Sequence, residues 1–112
     1  METSLQRCAE RFAALGQAVR LDLVRRLLRA HPAGMVAGAL QQAVEIPAST
    51  LSHHLDALAR AGLIEQQREG RFLRYRVSEA ALRDLIAFLL EECCTQNPIV
   101  SLASLRRGGP PS

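Results

Sequence analysis

One stretch, residues 46–76 (IPASTLSHHLDALARAGLIEQQREGRFLRYR), limits what this chain can become more than any other. Leu51, Leu55 and Leu58 recur at the spacing of one helical face. Stepping about 100° per residue from Leu51 puts Ser49, His53, Asp56 and Arg60 on the opposite side. One face is therefore apolar, and the other carries short hydrogen-bonding groups and a guanidinium. Gly62 falls where that helix should stop. Leu63–Gln67 and Phe72–Val77 then flank the tip Arg68-Glu69-Gly70-Arg71, so a β-hairpin follows the helix. A helix that can press into a core while showing polar tips, followed by a basic hairpin, is the layout of a winged helix-turn-helix that reads duplex DNA.

The charge distribution points the same way. All 14 basic residues are arginine, whose planar fork suits phosphate and guanine edges. Between residues 60 and 76 five arginines (60, 68, 71, 74 and 76) face only Glu65 and Glu69, so the chain's net charge of +3 is concentrated there. The plain alternative is a solvated charged hairpin. Aromatic residues make up only 4% of the chain, too few for a single-strand binder built on base stacking. At 112 residues the chain has the length of one domain with one core.

Taken in order, residues 4–15 are expected to form a first helix with Leu5, Cys8, Ala9, Phe12 and Leu15 on one stripe, broken at Gly16. A second helix is expected over 17–30, with Val19, Leu23, Val24, Leu27 and Leu28 apolar and arginines outward. After the loop His31–Gly34, the spacing of Val36, Leu40 and Val44 predicts a short helix over Met35–Val44. A tight turn at Glu45-Ile46-Pro47 follows, with Pro47 suited to the first turn of the next helix. Ser78 is the expected N-cap of a last helix over 79–94, whose Leu82, Leu85, Ile86, Leu89, Leu90 and Cys93 form a wide apolar face. Residues 1–95 are thus expected to form the domain and 96–112 a flexible tail. The first and last helices carry more apolar surface than so small a core needs. That surplus predicts a two-fold dimer through them, with two recognition helices matched to an inverted repeat. The N-terminus lacks an apolar leader and no run spans a bilayer, so a cytoplasmic setting with reduced cysteines is expected.

Three segments, LGQAVRLDLVRRLL, LSHHLDALARAGLIEQQREGRFLRYRVS and LLEECCTQNP, resemble the ArsR/SmtB family of winged-helix repressors. With the helices between them they cover nearly all of residues 5–95. The resemblance implies a homodimeric repressor, not an enzyme, that leaves its operator when an inducer binds. The family's cysteine pair at the start of the helix-turn-helix is missing, since Met35–Ser49 contains no cysteine. The histidines of its zinc-sensing members are missing from the last helix. What remains is Cys93-Cys94, similar to arsenic-responsive members with a terminal cysteine pair. Ala48 stands where many members have glutamine. Ser49, Thr50, Ser52 and His53 are the candidates for base edges or phosphate, with Arg60 on the same face and Arg68, Arg71 and Arg74 on the wing. His54 lies nearer the core and reads as structural. Asp56 is expected to pair with Arg60 at i+4.

No permanent cofactor is expected. Trivalent arsenic and antimony are soft and prefer thiolates. Adjacent cysteines have Cα atoms about 3.8 Å apart, so their sulfurs can converge at a fraying helix end. Methylarsenite is complete with two sulfurs, whereas arsenite takes a third. Cys8 is the candidate for it, from either subunit. Packing is the rival explanation for Cys8 and Cys93, because cysteine behaves as a small hydrophobe. A thiol sensor of oxidants or persulfide keeps the same fold and DNA binding. Catalysis is disfavoured. Ser52, His53, His54 and Asp56 are crowded on one helix and point in different directions, and no phosphate loop, HExxH or CxxC motif is present. A protein-binding role for the basic hairpin is the remaining alternative.

Overall fold

The computed structural model describes residues 4–94, with side chains up to Glu91. The expected tail therefore lies outside the described residues, and Cys93 and Cys94 enter only as the backbone that closes the last helix. Five helices and three strands follow one another as α1 (Ser4–Leu15), α2 (Ala18–Arg29), β1 (Met35–Val36), α3 (Ala37–Val44), α4 (Ala48–Arg60), β2 (Ile64–Glu69), β3 (Phe72–Val77) and α5 (Glu79–Cys94). Among the described residues no helix is long and apolar enough to cross a membrane.

The core forms where the helical stripes converge on the inner face of the hairpin. Leu23 and Leu27 of α2, Leu40 of α3, Leu58 of α4 and Leu63 are fully buried. Each removes enough apolar area from water to contribute about 1.5–3 kcal/mol. Strand β3 alternates as a half-buried strand should. Tyr75 and Val77 are buried with Leu73 packed beside them, while Arg74 and Arg76 occupy the other face. Ser78 caps α5 by accepting a hydrogen bond from the Ala81 amide at 3.2 Å. The C-terminus of α4 closes with Gly62 at φ +80°, the Leu63 amide on the Leu58 carbonyl and the Gly62 amide on the Ala59 carbonyl.

Three expectations need correction. Met35 and Val36 are not helical; they pair antiparallel with β3 (Met35 with Tyr75, Val36 with Arg74), giving the sheet order β1-β3-β2. The four-residue spacing of Val36, Leu40 and Val44 imitates a helix, but the open edge of β3 supplies backbone partners that a longer α3 would not. Pro47 is extended at ψ 149° and caps α4 rather than lying in its first turn; its carbonyl accepts the Leu51 amide at 3.0 Å. Strand β2 runs two residues further, to Glu69, because Arg68 and Glu69 pair with Leu73 and Phe72 across a tight tip.

The apolar stripes of the two outer helices are only partly used. Cys8 and Leu85 are buried, yet Leu5, Phe12, Ile86 and Leu89 are exposed, at 65, 39, 56 and 52%. A single copy leaves these side chains in water.

Candidate nucleic-acid interface

Helices α3 and α4 meet at a turn made by three residues. Glu45 takes the left-handed conformation at φ 54°, donating its amide to the Gln41 carbonyl at 2.9 Å. The Gln41 side chain returns a bond to the Ile46 carbonyl at 3.4 Å. This stops α3 and lets Pro47 start α4 in a new direction. Leu51, Leu55 and Leu58 then bind α4 to the core, and the opposite face is left to solvent.

That face carries the residues expected from the sequence. Ser49, Thr50, Ser52, His53 and Arg60 are all exposed. The first-turn amides of α4 have no side-chain cap, and the positive end of a helix dipole favours phosphate there. His54 is turned inward and accepts a hydrogen bond at Nδ1 from Arg20 Nε of α2 at 3.1 Å. It is 8% exposed, so the adjacent histidines have different surroundings. The i+4 pair between Asp56 and Arg60 does not form, whereas Asp22 pairs with Arg25 and Arg26, and Glu79 with Arg83, at helical spacing. Asp56 instead acts on Tyr75, whose hydroxyl pKa is raised first by burial and then by this carboxylate.

Protonation of His54 would place a second charge beside Arg20. Its pKa is held below the ordinary value of 6.5, mainly by burial, then by Arg20 and His53. The fold therefore selects the neutral ring, whereas the unfolded chain protonates at the ordinary pKa. Stability is expected to be full above that value and to fall as the pH drops below it. Urea midpoints at neutral and mildly acidic pH check this, with a His54→Gln chain as the reference whose midpoint should move less.

The wing divides its arginines into two groups. Arg74 donates through Nε to Glu69 at 2.9 Å and through Nη1 to the Ala33 carbonyl at 3.3 Å. Arg76 donates through Nε to the Pro32 carbonyl at 3.1 Å and through Nη1 to Gln67 Oε1. Both thus tie the outer face of the wing to the loop before β1, a use the charge count could not reveal. Arg68 and Arg71 stay exposed at the tip, Arg71 with its guanidinium 5.6 Å from the centroid of the exposed Phe72 ring. Arg71→Ala is expected to weaken binding to all duplexes alike and to lower the slope of log affinity against log salt by about one unit. Arg74→Ala is expected to lower the melting temperature instead. Fluorescence anisotropy across a salt series and thermal unfolding separate the two roles.

The thiols lie elsewhere. Cys8, 6% exposed, faces a cleft of about 280 Å³ between α1 and α5, shared with Arg7, Arg11, Asp84, Phe88 and Glu91. Cys93 and Cys94 end the helix that forms the other wall.

A helix-turn-helix whose second helix shows an uncapped N-terminus and polar outer face, followed by an antiparallel basic hairpin, defines a winged helix-turn-helix DNA-binding protein. Residues 15–67 match the family model described as a helix-turn-helix domain. The chain is 35% identical over 93 residues to the HTH-type transcriptional regulator YgaV of Escherichia coli, covering 80% of this chain and 93% of that one. It is 32% identical over 96 residues to the biofilm growth-associated repressor of Xylella fastidiosa, covering 86% of this chain and 82% of the relative. Among solved structures it aligns, with TM-score 0.64 and 28% identity over 76% of each chain, to the homodimeric winged helix-turn-helix domain of a possible ArsR-family regulator from Mycobacterium bovis. The chain belongs to the ArsR-like family of helix-turn-helix transcriptional regulators.

Proposed function

We propose that this chain is a cytoplasmic repressor that occupies an inverted-repeat operator as a homodimer and is released when a trivalent arsenical binds its cysteine thiolates. The observation that carries the DNA-binding part is the exposed row Ser49, Thr50, Ser52, His53 and Arg60 on α4, together with the exposed Arg68 and Arg71 at the wing tip. Dimerisation is supported by the exposed apolar side chains of α1 and α5, and by the homodimeric state of the Mycobacterium bovis relative. The inducer assignment is supported by the Cys93-Cys94 pair at the end of α5 and by the position of Cys8 across the α1–α5 cleft.

Capture of methylarsenite by the vicinal pair forms two As–S bonds and breaks two As–O bonds, and the thiol protons leave in two water molecules. Arsenite requires a third sulfur, and Cys8 of either subunit is the proposed donor. Antimonite follows the same preference for thiolate. Binding at the end of the dimer-forming helix then changes the spacing of the two recognition helices. A coupling of about 1–3 kcal/mol is enough for useful induction.

The test is titration of the protein bound to a duplex selected from a random pool, using arsenite, antimonite and methylarsenite, with Cys8→Ser, Cys93→Ser and Cys94→Ser chains in parallel. Release of wild type, abolished by either change in the pair, supports the reading. Retained binding with arsenic shown by mass spectrometry to sit on the thiols contradicts it. Release by persulfide or peroxide, with added sulfur or oxygen mass and arsenicals inert, moves the trigger to thiol redox chemistry. Cys8→Ser leaving the arsenite response unchanged removes Cys8 from the ligand set.

A further inference from the structure

Arg11 belongs to α1, three residues after Cys8 and on the same side of that helix. Its side chain is 14% exposed, unusual for an arginine, and each end of the guanidinium meets a different helix. Nε donates to the carbonyl of Ala61, the C-cap of α4, at 3.0 Å. Nη2 fills the space over Gly62; a Cβ there would lie 3.1 Å from it. Nη1 points to α5, where Asp84 Oδ2 stands 3.9 Å away, too far for a hydrogen bond. Nη1 is fully buried and has no hydrogen-bond partner among the described residues.

These contacts suit a transmitter. The last carbonyls of a helix are acceptors without internal partners and form the negative end of its dipole, so a buried cation binds there strongly. The hold on α4 is therefore firm, and the hold on α5 is unfinished. A buried donor left incomplete is a place where a small movement of the neighbouring helix changes the hydrogen bonding. Arg11 and Asp84 also line the cleft that holds Cys8, with Glu91 close to the cysteine-bearing end of α5.

We propose that Arg11 is the positioning residue through which the α1–α5 cleft sets the orientation of the recognition helix. Thiol chemistry at this cleft moves α5, Asp84 gains or loses Arg11 Nη1, and the guanidinium shifts its grip on the C-terminus of α4. The inducer part of this inference rests on the function proposed above; the grip on α4 does not.

The test uses the full chain, a duplex selected by wild type from a random pool, and phenylarsine oxide as the thiol probe. Arg11→Gln is expected to take up the arsenical with wild-type stoichiometry while the ratio of free to arsenical-bound operator affinity falls from about tenfold or more to within about twofold of unity. Without the probe, Arg11→Gln is expected to bind the duplex at least about threefold more weakly with an unchanged salt slope, because Arg11 is not a phosphate contact. Arg11→Lys, which keeps the charge but not the fork, is expected to fall between the two. Asp84→Asn, on an exposed side chain, preserves the fold if Arg11→Gln does not, and is expected to reduce only the response to the probe. A full response in Arg11→Gln, or in Asp84→Asn where the former is unfolded, overturns the relay. If wild type ignores the arsenical, the inducer assignment fails. The grip on α4 is then decided by the probe-free arm, where undiminished affinity in a folded Arg11→Gln chain overturns it.

Discussion

Alanine at Gly34 is expected to destabilise the chain by about 2–4 kcal/mol, among the larger losses a single methyl group can cause. Two separate costs combine. Gly34 adopts φ +75°, where any L side chain is strained by about 1–2 kcal/mol. A Cβ there would also lie 2.2 Å from the Tyr75 carbonyl oxygen and 2.7 Å from Arg76 Cγ. The first of these atoms is backbone in the central strand, so it cannot rotate away. The clash would push β1 off β3 just where Met35 pairs with Tyr75, and Arg76 would lose its bond to the Pro32 carbonyl. Gly70 is the internal reference. It has φ +62° but nothing within 4 Å, so Gly70→Ala bears the conformational cost alone, about 1 kcal/mol. Urea unfolding of the two variants gives the comparison. Equal losses would mean that the close approach of Gly34 to β3 is not a real constraint.

Glutamate at Ile86 is expected to convert the proposed dimer into folded monomers and to lower operator affinity by about 100-fold or more, the size of avidity lost when two linked half-sites become independent. Ile86 is 56% exposed on α5, beside the exposed Leu89, while Leu85 faces the core. The substitution therefore removes little from the monomer's own packing. At a dimer interface it buries a carboxylate against Leu5, Phe12 or their copies; the nearest cation on α5, Arg83 one turn earlier, is solvent-exposed and already paired with Glu79, and burying a poorly paired charge is strongly unfavourable. Sedimentation gives the mass, circular dichroism the fold, and anisotropy the affinity. A folded monomer that still binds with wild-type strength would remove the dimer from the mechanism. A dimer that persists would place the interface elsewhere.

Much of this architecture was legible because it rests on local rules. The Leu51, Leu55 and Leu58 stripe, the helix stop at Gly62 and the Ser78 cap are properties of a few neighbouring residues, and each appears as expected. The inward His54 and outward His53 follow from the same helical period. Strand β1 was hidden because two residues carry no period of their own, and their partner lies about forty positions away. The roles of Arg74 and Arg76 were hidden for a related reason. A count of positive charge on a hairpin says nothing about the carbonyls of Pro32 and Ala33 that approach it in space.

The order of the amino acids alone determined which segments become helices, where the basic wing follows, and which polar side chains share the outward face of α4. Periodicity, capping and turn chemistry act over a few residues and need no knowledge of the rest. Tertiary structure alone decided which arginines remain available at the wing tip, that Gly34 must admit a strand, and that Arg11 joins α1 to the end of the recognition helix. Those facts depend on distances between residues remote in sequence, which exist only once the burial of a shared core has brought the helices and the sheet together.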